Sequence, residues 1–291
     1  MAQTRELKRR IRSIGKTRQI TRTMEMVSTS KLKRASDRVH AARPYAEHLN
    51  EVIGRLLDPE LRERHPLLRQ PDSVRRAAIL LLTSNRGLAG AFNVNLIREA
   101  RALSARLQQQ NVQVDLHVVG RKGVGFFRFQ KTKLATERTD ITDRASIADA
   151  SALVDPLREA FERGDLDELY VVYAQFRSAL STPPATLRIL PVATPAPKAE
   201  GSPARQQNYI LSPSADEILD RLLPLYVRNS VYRALVETAA AEHGARRTAM
   251  KNATDNAGDI LDTLTRTYNR ARQAQITQEI AEIVGGAAAL E

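Results

Sequence analysis

A chain of 291 residues with 42% hydrophobic residues is long enough for one or two domains with a substantial core. It contains no cysteine, which excludes disulfide bonds and cysteine-based zinc sites, and its five histidines show no metal-ligand spacing. The formal net charge is +12, and residues 1–43 hold thirteen Lys or Arg against three acids. A basic segment of this kind suits nucleic acid, an anionic membrane surface or an acidic protein partner.

The first fifty residues predict one long helix. From Arg5 to about Asn50 there is a single proline, Pro44, and a single interior glycine, Gly15. Apolar side chains recur in steps of three and four and form a stripe, although the stripe slips and is not a strict heptad repeat. Its members are Leu7, Ile11, Ile14, Ile20, Met24, Val27, Leu32, Ala35 and Val39.

The middle of the chain alternates between strand and helix signals, which predicts an α/β domain with a mostly parallel sheet. The longest apolar run covers only six residues, 77–82, so no membrane span is expected. We expect strands at 77–83, 112–119, near 133–136, at 168–176 and at 185–191, with helices from 93 to about 110 and at 147–163. The Pro-rich segment 194–203 predicts a mobile loop, and Ser214 is a suitable N-cap for the helix that follows.

Two glycine clusters in this region could be mistaken for nucleotide-binding loops. The segment 84–90 lacks the Gly-Lys-Ser/Thr ending of a phosphate loop, and the segment 120–125 lacks the dinucleotide spacing. We therefore interpret both as tight turns. No acid–base or nucleophile constellation is recognisable, so we expect no catalytic activity in the isolated chain.

The C-terminal stretch predicts a second helix, of more than fifty residues, because 232–290 contains no proline. A helix of that length cannot pack along a globular core and needs a partner helix, which the N-terminus can supply. We therefore predict an antiparallel two-helix coiled coil formed by residues 1–58 and 213–291, around a central Rossmann-like α/β domain at 59–212. The expected packing stripe is Ile260, Leu264, Tyr268, Ala271, Ile276, Ile280, Ile283 and Ala287.

Three blocks of the sequence, in order, resemble the gamma subunit of the F-type ATP synthase. They are the opening helix from Arg10 to Val27, continued by residues 30–32, the loop from Thr83 to Asn93, and a C-terminal run. The C-terminal run, at 249–256, 268–279 and 282–287, is the strongest signal. Asn85 stands where the family commonly has Asp. Ala89 and Ala91 replace a frequent Cys and a frequent Gly. These departures bear on the role of the loop in charge pairing, not on the resemblance.

The resemblance implies a non-catalytic central-stalk subunit of a proton-translocating F-type ATP synthase, present once per complex and without cofactor or metal. The paired terminal helices would rotate inside the ring of alpha and beta subunits. The central domain would meet the epsilon subunit and the membrane c-ring, without inserting into the membrane itself. The expected location is the cytoplasmic face of the bacterial cell membrane, as a peripheral protein.

The resemblance also implies partner-binding residues at both ends of the chain. Arg272, Gln273 and the weaker candidate Thr277 would hydrogen-bond a loop of one beta subunit. Met24 and Met26 would slide over the beta subunits, although Met24 could equally pack against the second helix. Lys31, Lys33 and Arg34 would attract acidic loops of the beta subunits.

The sequence allows two other functions. The basic first helix would suit a nucleic-acid-binding coiled coil, but no aromatic residue lies in that helix before Tyr45. An α/β enzyme with helical oligomerisation arms is the second alternative. ATP hydrolysis by the purified chain would favour it.

Overall fold

The computed structural model describes residues 2–56, 65–71, 73–192 and 215–288, which form five α-helices, one short 3-10 helix and one five-stranded sheet. The helices are α1 (Ala2–Leu56), α2 (Phe92–Gln109), α3 (Arg121–Phe129), α4 (Ile147–Arg163) and α5 (Ala215–Ala288), with the 3-10 helix at Pro66–Leu68. The strands are β1 (Arg76–Leu82), β2 (Gln113–Val119), β3 (Thr136–Arg138), β4 (Glu168–Ala174) and β5 (Pro184–Leu190).

The chain divides into two compact units. The helix-pair unit consists of Met1–Thr29 and Arg246–Glu291, and the α/β unit consists of Ser30–Ala245. The predicted domain boundaries at 58/59 and 212/213 are a different division of the chain and stay a prediction. Within the described residues, no helix combines the length and apolarity needed to cross a bilayer.

The sheet of the α/β unit has the strand order β3-β2-β1-β4-β5. Strand β1 pairs in parallel with β2 and β4, β2 pairs in parallel with β3, and β5 is antiparallel to β4. This confirms the predicted mostly parallel sheet. Both faces of β1 are covered, which explains why its sequence is a continuous apolar run instead of an alternating one.

Different helices cover the two faces of the sheet. Leu80 and Leu82 face a core shared with α4, the end of α1 and the first part of α5. Ile79 and Leu81 face a second core that is formed mainly with α2 and α3. A smaller cluster joins the two long helices inside this unit. It contains Leu32, Ala35, Val39, Phe176, Val236 and Ala240.

In the helix-pair unit, α1 and α5 run antiparallel. Thr4 hydrogen-bonds Gln275 (Oγ1–Oε1 3.3 Å), and Thr21 contacts Thr254 (Oγ1–Oγ1 2.8 Å). The earlier residue of α1 therefore contacts the later residue of α5, as in an antiparallel pair. The predicted pairing of the two chain ends is therefore confirmed. Both helices continue through their internal prolines, Pro44 in α1 and Pro224 in α5.

Two predictions about the elements were wrong. The segment 120–125 is not only a turn, because Gly123 and Gly125 lie inside α3. The predicted packing stripe of α5 was also partly wrong: Leu264, Tyr268 and Ala271 are half-buried, but Ile260, Ile276, Ile280 and Ile283 are 48%, 47%, 56% and 71% exposed. The predicted loop 194–203 and the predicted N-cap Ser214 lie outside the described residues.

Candidate functional site

The contact between α1 and α5 in the helix-pair unit contains small and hydroxyl-bearing side chains at its centre. Thr21 and Thr254 are buried, and their hydroxyl oxygens are 2.8 Å apart. Each hydroxyl can also donate within its own helix, Thr21 to the Arg18 carbonyl and Thr254 to the Met250 carbonyl. Because a hydroxyl has one proton, the two groups satisfy each other only when one of them donates across the pair.

The outward surface of this helix pair carries large apolar side chains. On α5, Ile276, Ile280 and Ile283 follow one another in steps of four and three, so they share one face. On α1, Ile20 is 60% exposed and Met26 is 60% exposed. We call this set the outer apolar surface. Its members are Ile20, Met26, Val27, Ile260, Ile276, Ile280, Ile283 and Val284.

Charge is distributed unequally between the two arms of the helix-pair unit. Residues 1–29 hold eight Lys or Arg and two acids, whereas residues 246–291 hold six of each sign. Arg10 forms an ion pair with Glu6 within α1 (2.7 Å). The first arm therefore presents a basic surface, and the second arm presents a neutral one.

The predicted partner-binding residues of the helix-pair unit differ in exposure. Met24 is half-buried, which fits packing against the second helix, and Met26 is exposed. Arg272, Gln273 and Thr277 are all exposed, and Gln273 and Thr277 lie four residues apart on one face of α5. The structure therefore leaves four of these five side chains accessible to another chain.

The predicted basic cluster of α1 lies at the start of the α/β unit. Lys33 and Arg34 are exposed, and Arg34 donates a hydrogen bond to the Ser30 hydroxyl (3.2 Å). Lys31 instead forms an ion pair with Asp143 (2.9 Å). Burial disfavours the charged form of Asp143, but the hydrogen bond and charge of Lys31, with the charge of His243, hold the pKa of its carboxyl below the ordinary value.

The glycine cluster after β2 is shaped by close packing against β1. Gly120 has φ +100°, and a Cβ placed there would lie 2.2 Å from the Thr83 carbonyl oxygen. A Cβ at Gly123 would lie 2.8 Å from the Thr83 hydroxyl, which accepts the Gly123 N–H at 3.0 Å. Both glycines are therefore required for contact between the chain's own segments.

The remaining N–H groups at the start of α3 also bond to the chain itself. Arg121 N–H donates to Asn85 Oδ1 (3.0 Å), and Lys122 N–H donates to the Ser84 carbonyl (3.1 Å). A helix N-terminus binds phosphate through free N–H groups. With these donors occupied, the start of α3 does not present free N–H groups to a phosphate.

A small cavity between the sheet and α4 has a volume of about 70 Å³. His117 borders it and contacts Thr136 (Nδ1–Oγ1 3.0 Å), and burial lowers the pKa of His117 although the charge of Asp115 opposes this. Ligand pockets usually enclose roughly 300–1,000 Å³. This cavity is too small for a nucleotide.

Comparison with known proteins decides the family. The family model described as ATP synthase matches residues 3–290. The chain is 62% identical to the ATP synthase gamma chain of Gemmatimonas aurantiaca over 291 residues, which covers 100% of both chains. The chain belongs to the ATP synthase gamma-chain family.

Other relatives agree. The chain is 44% identical to the ATP synthase gamma chain of Streptomyces avermitilis, over 99% of this chain and 96% of the relative. Among solved structures, a chain of the Euglena gracilis mitochondrial ATP synthase (OSCP, F1 and c-ring) superposes with a TM-score of 0.67 at 21% identity, covering 99% of this chain and 95% of that one. A chain of the Tetrahymena thermophila enzyme, from its central stalk and c-ring, gives 0.61 at 23% identity, over 80% and 99%. At these identities the structural likeness shows the fold alone.

The sequence indicates the family, but two features of this chain are not predicted from it. The stripe predicted on α5 includes Ile276, Ile280 and Ile283, whereas the buried contact contains Thr254 and Ala257. Asp143 has no predicted role, because a single acid in a loop has no recognisable motif. Only the contacts of the folded chain reveal that residue.

Proposed function

We propose that the chain is the central-stalk rotor of an F-type ATP synthase. The helix-pair unit occupies the centre of a ring of alpha and beta chains, and the α/β unit meets an epsilon chain and the c-ring. The chain performs no chemistry itself. It turns, and its turning changes the nucleotide affinities of the beta chains in sequence. One copy serves one complex, at the cytoplasmic face of the membrane.

The observation that best supports this proposal is the outer apolar surface. Ile276, Ile280 and Ile283 lie past Gln275, which contacts Thr4 near the first described residue of α1, so α1 has almost no residues opposite them and they are 47%, 56% and 71% exposed. An encircling partner would cover them. Apolar contacts have no directional bonds, so such a partner can hold the pair without resisting its rotation.

The polar candidates supply contacts of a different kind. Arg272 and Gln273 are exposed on α5 next to the outer apolar surface, where they can hydrogen-bond a loop of one beta chain. A hydrogen bond to a charged group contributes roughly 1.5 to 3 kcal/mol, enough to favour one rotary angle over its neighbours. Thr277 is the weaker candidate on the same face as Gln273.

The basic residues of α1 support attraction to acidic loops of the beta chains. Lys33 and Arg34 are exposed and suit this role. Lys31 is less suited, because Asp143 already compensates its charge. Met26 is exposed and can slide over a changing surface, whereas the half-buried Met24 serves mainly the helix contact.

Reconstitution tests the proposal. The chain is co-expressed with the alpha and beta chains of the same organism, and the complex is compared with a ring prepared without it. We expect the chain to co-purify at one copy per ring and to raise ATP hydrolysis strongly above that of the ring alone. Failure to co-purify would refute the proposal. ATP hydrolysis by the isolated chain would favour the enzyme alternative instead.

A further inference from the structure

One carboxylate oxygen of the α/β unit contacts both long helices. Asp143 lies in the loop between β3 and α4, and its Oδ2 accepts a hydrogen bond from Lys31 Nζ of α1 (2.9 Å). The same oxygen lies 3.2 Å from His243 Nε2 of α5. Asp143 therefore joins α1, α5 and the β3–α4 loop at one point.

These contacts are partly shielded from water. The His243 side chain is 4% exposed, and those of Asp143 and Lys31 are 28% and 37% exposed. Ion pairs on an open surface contribute little, but partial burial lowers the local dielectric constant and strengthens the attraction. The contact is therefore less screened by water than an ion pair on an open surface.

The loop that carries Asp143 is itself firmly held. Asn85 donates a hydrogen bond from Nδ2 to the Ile141 carbonyl (2.7 Å), and Ile141 and Ala145 are buried in the core. Three residues after Asp143, Ser146 caps the start of α4 with a capping box, in which its hydroxyl accepts the N–H of Asp149 (3.2 Å). A force on the sheet and α4 therefore reaches the Asp143 carboxylate through a well-anchored segment.

The position of these residues along the helices is informative. The α/β unit covers Ser30–Ala245, so Lys31 and His243 lie next to its two ends. Nearby packing between α1 and α5 uses Leu32, Ala35 and Ala240, whose apolar contacts resist separation of the helices but have no directional bonds against sliding. The contacts of Asp143 with Lys31 and His243 are directional, so they oppose sliding of the two helices at this position.

We propose that Asp143 is a positioning residue of the rotor, which fastens α1 and α5 together to the α/β unit so that torque on that unit enters both helices at once. This role rests on the proposed function as a rotor. It predicts that loss of the carboxylate weakens the transmission of torque under load more than it weakens ATP turnover without load.

The test uses the complete ATP synthase of the same organism in inverted membrane vesicles. Asp143→Ala is compared with Asp140→Ala, a control in the same loop whose carboxylate pairs with Arg138 of β3 (2.7 Å). We expect Asp143→Ala to keep uncoupler-treated ATP hydrolysis near wild type while the ATP-driven ion gradient falls. The control should keep both. Asp143→Asn, which preserves the size of the side chain, should reproduce the loss in weaker form.

Hydrogen exchange on the purified full-length chain provides an independent readout. In Asp143→Ala, amides of residues 30–36 and 240–245 should exchange roughly ten- to hundredfold faster, the factor expected for one lost charge-assisted hydrogen bond. Adding Lys31→Met to Asp143→Ala should have little further effect, because the two residues act through one contact.

The outcomes separate the two proposals. If the wild-type chain supports neither assembly nor ATP-driven pumping, the rotor function fails. If wild type pumps and Asp143→Ala pumps equally well, with unchanged exchange in both segments, the positioning role of Asp143 is overturned. A parallel fall of hydrolysis and pumping would also overturn it, because that result indicates a structural role only.

Discussion

A disulfide between the two arms of the helix-pair unit gives a sharp test of their register. The chain has no native cysteine, so Thr21→Cys with Thr254→Cys introduces one defined pair of thiols. The hydroxyl oxygens of these residues are 2.8 Å apart, so the two side chains meet across the helix contact and bring the thiols that replace them into reach of each other. We therefore expect rapid, near-complete oxidation in the purified chain.

The size of the effect follows from the separation in sequence. The two residues are 233 positions apart, and closing a loop of this length removes conformational entropy from the unfolded chain. In the chain-entropy model this stabilises the helix-pair unit by about 5 kcal/mol, less any strain in the folded state. Urea unfolding of the oxidised and reduced forms, followed by circular dichroism, measures the difference.

A matched control pairs Thr21→Cys with Asp255→Cys. Asp255 is adjacent to Thr254 but exposed, since one residue further along a helix turns the side chain by about 100°. The control should oxidise slowly and add little stability. Equal oxidation of both cysteine pairs would refute the register of α1 against α5. Loss of ATP hydrolysis in the cross-linked complex would refute the idea that the two arms turn as one body.

Three further predictions have definite expected outcomes, two of them with a matched control variant. Gly120→Ala should lower the free energy of unfolding by at least about 2 kcal/mol, because φ is +100° and the new Cβ would meet a backbone carbonyl at 2.2 Å. Gly125→Ala, inside α3 with open space around it, should instead leave stability unchanged or raise it by about 0.5 kcal/mol in the same urea titration. Arg272→Ala should reduce ATP turnover of the reconstituted complex roughly tenfold without preventing assembly, while the exposed neighbour Arg270→Ala changes turnover little. Unchanged turnover would remove Arg272 from the site. Ile280→Asp should leave unfolding of the free chain unaffected, because the side chain is 56% exposed, but should weaken retention of the chain by the ring in gel filtration. Full retention would contradict an apolar bearing there.

Four of the five strands and one helix could be predicted because local sequence and tertiary structure agree there, whereas the short strand expected near 133–136 lies at Thr136–Arg138. The apolar run of β1 is buried on both faces, as its composition indicates. Helix α4 was predicted at its observed bounds, since Ser146 caps its start and Gly164 ends it with φ +85°. In these elements the apolar residues are buried and the capping residues lie at the helix ends, as their residue types favour.

The errors arose where one residue type serves two purposes. Gly123 suggests a turn, but it is needed inside α3 because a Cβ at this position would lie 2.8 Å from the Thr83 hydroxyl. Isoleucines on α5 fit an internal stripe by spacing, yet Ile280 is 56% exposed, past the Thr4–Gln275 contact near the start of α1. Periodicity shows that a face is apolar, and it does not show whether the neighbouring helix or another chain covers that face.

The polar contacts were the least predictable part of the candidate site. Lys31 was predicted to attract a partner, but in the folded chain its partner is Asp143, which is 112 residues away in sequence. The buried Thr21–Thr254 contact has a separation of 233 residues. Such pairs depend on the final arrangement of the elements and leave no local pattern.

Direct observation of rotation is the measurement that most closely tests the account. Phe129→Cys provides a single thiol on an 88% exposed side chain of the α/β unit, and a probe attached there can be followed in complexes fixed through the ring. We expect the probe to turn stepwise in one direction when ATP is added. A probe that stays at one angle while the ring hydrolyses ATP would contradict the assignment of this chain as the rotor.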